Sequence, residues 1–159
     1  MSLARIYSRA QQGIDAPEIS IEVHLANGLP GISIVGLPEA AVRESKDRVR
    51  AAILNSHFEF PARKITISLA PADLPKEGGR FDLPIALGIL AASGQIPNEG
   101  LDDIECAGEL SLSGELRGFR GVLPMSLKCR DAGRQLIVPR ESAEEGAIIS
   151  DASILAAGS

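Results

Sequence analysis

Ala70-Pro71-Ala72-Asp73-Leu74-Pro75-Lys76-Glu77-Gly78-Gly79-Arg80-Phe81-Asp82-Leu83-Pro84-Ile85-Ala86 is the stretch whose reading decides the fold. Its first part is rich in proline and glycine, the signature of a loop. It ends at Asp82, a residue type whose carboxylate readily caps a helix by accepting a backbone N–H. The following segment, Leu83 to Ser93, is apolar nearly all round. A helix without a polar face belongs in the interior, so this one is expected to be buried, with Gly94 as its stop. Upstream, Lys64-Ile65-Thr66-Ile67-Ser68-Leu69 alternates polar and apolar residues, the period of a half-buried strand. Strand, loop and buried helix in succession predict a helix laid on a sheet.

The same periods extend outward. Residues 18–25 alternate as a strand, Asn27-Gly28 signals a turn, and Gly31 to Gly36 reads as the next strand. Ile6 to Gln12 is expected to pair with these two in a meander. Pro38 opens a helix predicted to reach Asn55, because a first-turn proline gives up an N–H that has no partner anyway. Val42, Val49 and Ile53 share one face of it, with Ser45 and Ala52 at the border, while Arg43, Lys46 and Arg50 form an adjoining basic stripe. Beyond Gly94, residues 104–117 read as a strand with a bend or a hairpin. A helix from Leu123 to Ala132 follows, closed by Gly133, then a strand at Gln135–Val138, a small helix from Pro139 to Ile149 and a last strand at Ser153–Ala156. No linker or low-complexity run divides the chain. The expectation is one mixed α/β (α+β) domain over residues 1–159, with helices packed on a single sheet.

Composition narrows the function. With 45% hydrophobic and 23% charged residues the chain is ordinary for a globular protein, and four Phe, one Tyr and no Trp leave the core to Ile, Leu, Val and Ala. A formal charge of −5 argues against a broad nucleic-acid-binding surface, which needs clustered Lys and Arg, but allows a local basic patch. Cys106 and Cys129 match no zinc or redox spacing and read as buried thiols. No His, Cys, Asp or Glu cluster has metal-ligand spacing. The first residues lack the apolar run of a signal peptide, and the apolar stretch from Leu83 to Ala92 is far shorter than the roughly 20 residues of a membrane span. A cytoplasmic protein with no membrane partner is expected.

Three motifs in order carry a family resemblance: Gly28-Leu29-Pro30-Gly31 with Val35-Gly36-Leu37-Pro38, the long stretch from Ala70 to Ala86, and Ala107-Gly108-Glu109-Leu110. Together they resemble the N-terminal domain of the ComM (YifB) family of magnesium-chelatase-like AAA+ ATPases, across nearly the whole chain. The resemblance implies a ribosomal S5 domain 2-like fold, shared with the Lon protease domain. It also implies that an AAA+ module follows in the full-length protein, forming a hexameric helicase that drives branch migration in natural transformation. The chain contains no Gly-x-x-x-x-Gly-Lys-[Ser/Thr], so ATP hydrolysis by this part alone is not expected, and no cofactor is assigned to it. ATP and Mg are implied only for the ATPase module. The implied partners are that module, neighbouring subunits of a hexamer, and DNA.

The kinship with Lon raises the question of peptidase chemistry. Lon carries its nucleophilic serine in Pro-Lys-Asp-Gly-Pro-Ser-Ala-Gly, and across that motif this chain reads Pro75-Lys76-Glu77-Gly78-Gly79-Arg80-Phe81-Asp82. Arg80 stands where the serine would be, and a guanidinium does not attack a carbonyl. Lys128, near the place of Lon's general base, would have no nucleophile to activate. His24 and His57 have no nucleophile motif beside them. No catalytic residue is assigned.

Two groups of residues invite a binding role. Lys76, Gly78, Gly79 and Arg80, just ahead of a helix N-terminus, could form an anion-binding loop. Alternatively, the glycines supply backbone angles that other residues resist, and Asp82 caps the helix with a charge that repels an anion. Arg43, Lys46 and Arg50 could contact the DNA backbone or an acidic surface of a neighbouring subunit. Alternatively they form a solvated face, offset in part by Glu39 and Asp47.

Overall fold

Four segments that alternate apolar and polar residues build one half of a twisted sheet. In the computed structural model, which describes residues 2–10, 15–36, 40–72, 74, 76, 78–118, 122–139 and 154–157, strand β1 (Ser2–Arg9) pairs antiparallel with β2 (Glu18–Ala26), Arg5 opposite Glu22. On its other side β2 pairs antiparallel with β4 (Lys64–Ala70), and β4 pairs in parallel with β3 (Gly31–Val35). The other half is parallel: β5 (Ile104–Cys106) lies beside β1, followed by β8 (Gln135–Pro139) and β9 (Ile154–Ala157). The seven-stranded order is β3-β4-β2-β1-β5-β8-β9, and β6 (Glu109–Leu110) with β7 (Leu116–Arg117) forms a separate hairpin.

Period two makes the sheet one-sided. Ile19, Ile21, Val23 and Leu25 of β2, with Ile65, Ile67 and Leu69 of β4, all point to the covered face and are buried. Helix α3 (Asp82–Ala92) lies across β1 and β2 and is buried along almost its whole length. Gly88 brings it close: a Cβ there would stand 2.6 Å from Val23 Cγ2. Helices α1 (Ala40–Arg43) and α2 (Ser45–Asn55) add Val42, Val49, Ala52 and Ile53 to the same core. A smaller core of Ala107, Met125, Cys129, Leu136 and Val138 forms where α4 (Val122–Asp131) covers the parallel half.

The mixed α/β class and the buried helix are as the sequence predicts, and several details are corrected. The meander does not form, because β4 inserts between β2 and β3. The Asn27-Gly28 turn is a local signal, whereas the central place goes to the strand whose Ile65, Ile67 and Leu69 are fully buried. The opening strand runs from Ser2 to Arg9 instead of Ile6 to Gln12. The helix expected up to Asn55 is broken by a turn at Glu44, and its expected start at Pro38 lies outside the described residues. Asp82 does not cap α3. Phe81 occupies the cap position without a side-chain bond, and Asp82 is the first helical residue. Residues 104–117 divide between the main sheet and the β6–β7 hairpin. Pro139 ends β8, and the helix expected beyond it lies outside the described residues.

Candidate functional site

The Asp82 carboxylate is fully buried and points sideways into the gap between α3 and α2. Oδ2 accepts Arg48 Nε–H at 2.7 Å and the backbone N–H of Leu110 at 3.1 Å. Oδ1 accepts Arg48 Nη2–H at 3.1 Å and the hydroxyl of the buried Ser45. Two parallel bonds from one guanidinium form the strong fork-on-carboxylate arrangement. The bond to Asp82 raises the Arg48 pKa further despite the cost of its partial burial. One side chain thus ties together α2, α3 and the β6–β7 hairpin.

The N-terminus of α3 is also occupied. Asp82 N–H donates to Gly79 O at 3.1 Å, Leu83 N–H donates to Gly108 O at 3.0 Å, and Pro84 has no N–H to offer. In return Gly108 N–H donates to Arg80 O at 2.8 Å. The motif Ala107-Gly108-Glu109-Leu110 therefore docks on the helix start that the long motif supplies. Glu109 lies against Gly79, where an added Cβ would stand 2.8 Å from its side-chain carbons.

The cations of this loop turn inward. Lys76 is fully buried, and its ammonium donates to the carbonyl of Gly36 at 2.5 Å and to that of Pro71. Arg80 is 6% exposed and donates from Nη1 to Arg9 O at 3.2 Å. Burial lowers its pKa to about 10. Gly78 is exposed with φ of 74°, and Gly79 is half-buried. Asp73, Pro75 and Glu77 lie outside the described residues.

Sequence reasoning missed a second charged cluster, beneath β1 and β5. Arg9 donates to Glu105 through Nε at 2.7 Å and Nη2 at 2.8 Å. Arg134 Nη1 reaches the same carboxylate at 3.2 Å, pairs with Glu18, and lies 3.9 Å from the Tyr7 ring centre. Glu105 and Arg9 are both buried. The available signal was a lone glutamate inside the apolar run Ile104-Glu105-Cys106, which demands an internal cation.

Arg43, Lys46 and Arg50 are exposed along α1 and α2. Arg50 stacks over Phe60, 5.6 Å from the ring centre, and Lys46 and Arg50 border a groove of about 460 Å³ that reaches the start of β3 at Gly31 and Ile32. The structure thus separates the two candidate groups: the loop cations lie inside the fold and the helix cations outside it. His24 and Lys128 are exposed, and His57 sits just past α2 with φ of 68°. Cys106 and Cys129 are both buried. Among the described residues, no three His, Cys, Asp or Glu side chains come together as a metal site. No helix among them is long and apolar enough to cross a membrane.

Fold and site define a mixed α/β domain in which Lys76 and Arg80 beside the glycine pair donate to backbone carbonyls inside the fold. Residues 21–142 match the family model described as subunit ChlI of Mg-chelatase, and the chain belongs to that family. It is 55% identical over 151 residues to competence protein ComM of Haemophilus influenzae, covering 95% of this chain and 30% of that protein. It is also 57% identical over 150 residues to uncharacterized protein YifB of Salmonella typhimurium, covering 94% and 30% respectively. With YifB of Escherichia coli the identity is 51% over 157 residues, 99% of this chain and 31% of that one. The chain spans about 30% of the length of these curated relatives.

Proposed function

We propose that this chain is a non-catalytic accessory domain of a longer ComM-type, magnesium-chelatase-like ATPase of the cytoplasm, and that it assists assembly, DNA guidance or partner docking. The observation that carries the reading is where the charges go. Lys76 and Arg80 of the loop and Asp82 at the start of α3, the residues with the chemistry for catalysis or phosphate binding, are all bonded inside the fold. The solvent-facing cations lie instead on α1 and α2. ATP and magnesium are assigned to the ATPase module, and the partners are that module, neighbouring subunits of a hexamer, and DNA. In a ring, six copies of a weak basic strip act together through effective concentration.

The test is anisotropy of labelled single-stranded and branched DNA across a salt series, with the chain and its Arg43→Glu/Lys46→Glu/Arg50→Glu variant, beside ATPase and peptidase assays. The reading expects no turnover. Salt-sensitive DNA binding lost in the variant assigns the strip to DNA guidance, and no binding at low salt assigns the domain to assembly or docking. Turnover abolished by Lys76→Met or Arg80→Met would overturn it.

A further inference from the structure

Strand β3 ends the sheet: β4 pairs with one side of it, and no described strand pairs with the other. Gly31 N–H donates to Arg63 O at 3.4 Å, which turns the backbone groups of Gly31, Ser33 and Val35 toward β4. Strand alternation then points the N–H and C=O of Ile32 and Ile34 outward. An open edge of this kind is ordinarily blunted by charge, proline or a bulge, and Gly31-Ile32-Ser33-Ile34-Val35 has no charge and no proline.

A groove opens at the start of this edge. Gly31 and Ile32 line it together with Lys46, Arg50 and Leu54 of α2 and with Phe60, Pro61 and Ala62, which lead into β4. Leu54 is 48% exposed, as is Val35 on the strand. The groove therefore sets apolar area and two cations beside the outward backbone groups of Ile32, and the open edge continues from there to Ile34. Asp47 is its one acidic lining residue among the described residues, while exposed Lys64 stands opposite Gly31 at the start of the strand.

We propose that the β3 edge and its groove are a docking site for an extended, acidic segment of a partner protein, which adds to the sheet as an eighth strand. Backbone bonds to Ile32 and Ile34 supply the pairing, and Lys46 and Arg50 select acidic side chains. A second copy of this chain is disfavoured as occupant. Antiparallel pairing of two β3 edges about a two-fold axis puts both α2 helices on the same face, each presenting Lys46 and Arg50 toward its mate. The proposal rests on the reading of the domain as a docking unit, but its test is separate from the turnover assays that bear on that reading.

The experiment titrates the chain into a fluorescein-labelled heptapeptide of alternating glutamate and valine, with the lysine-valine analogue as control. Saturable anisotropy is expected for the acidic peptide alone, with amide NMR shifts centred on Ile32 and Ile34. Lys46→Glu/Arg50→Glu and Ile34→Pro should each weaken binding about tenfold or more. The proline removes an outward N–H and leaves the bonds to β4 in place. Should that variant unfold, the same peptide N-methylated at alternate amides tests strand pairing on the intact protein and should bind as weakly. Absence of binding to the acidic peptide, or binding unaffected by N-methylation, overturns the proposal. Displacement of the peptide by a single-stranded oligonucleotide that binds Ile34→Pro undiminished also overturns it, because the face then belongs to nucleic acid.

Discussion

Asp82 Oδ2 and Arg48 Nε lie 2.7 Å apart, with the carboxylate fully buried and the guanidinium mostly so, and this bond joins α3 to α2 through a gap that also holds Ser45. A buried ion pair is far more costly to break than to omit, because the partner left behind keeps its charge. Asp82→Ala is therefore expected to lower unfolding free energy by about 3–5 kcal/mol in urea titrations. Asp82→Asn, which keeps an oxygen acceptor, should lose less. A cycle with Arg48→Met should show strong coupling, and additive losses would mean that the pair does not act as a unit.

Lys76 makes the same kind of connection by a single cation. Its ammonium bridges the carbonyls of Gly36, after β3, and Pro71, after β4. Hydrogen bonds from a charged donor are worth about 1.5–3 kcal/mol, so Lys76→Met should destabilise by roughly that amount, measured by denaturant midpoint. An unchanged midpoint would show that the ammonium is dispensable to the fold.

Two glycines should differ sharply. At Gly36 (φ 109°) a Cβ would stand 2.0 Å from the Leu69 carbonyl oxygen, whereas at Gly78 (φ 74°) it would meet nothing within 4 Å. Gly78→Ala bears only the left-handed backbone penalty, about 1–2 kcal/mol. Gly36→Ala adds a backbone clash and should cost distinctly more or prevent folding. Equal thermal shifts for the two would contradict the close approach of the β3 end to β4.

Burial, and next the Glu105 charge, push the Cys129 thiol from 9.0 up to about 12, and burial raises Cys106 likewise. Between pH 9 and about 12 the unfolded chain releases protons that the folded chain keeps. The thiol contribution is thus complete below pH 9 and is lost as pH rises through that window. Urea midpoints at about pH 8 and about pH 10 should show this fall, reduced in Cys129→Ala. A disulfide-exchange reagent should label neither thiol in the folded protein on the timescale of unfolded controls.

Much of this fold is legible in the sequence, because period two and apolar helix patterns are set by which face is buried. Residues 18–26 and 64–70 show their strand character in that way. Strand order is different. Nothing local reveals that β4 inserts between β2 and β3, since pairing is decided by burial across the whole sheet. The site was legible as a motif but not as a geometry. Gly78-Gly79 marks a turn, yet the sequence does not reveal that Lys76 and Arg80 point inward, because their acceptors are backbone carbonyls of Gly36, Pro71 and Arg9. Asp82 suggested a cap because residue type alone does not separate a capping carboxylate from one that reaches a distant Arg48.

The most direct measurement is a thermal melt of the purified chain with and without millimolar phosphate or ATP, repeated for Lys76→Met and Arg80→Met. A clamped loop with its cations committed to the fold predicts melting temperatures insensitive to either anion, and variants that melt lower whether or not an anion is present. A rise with phosphate or ATP in the parent that both variants lose would be ligand linkage at this loop, and would contradict the assignment of its charges to structure.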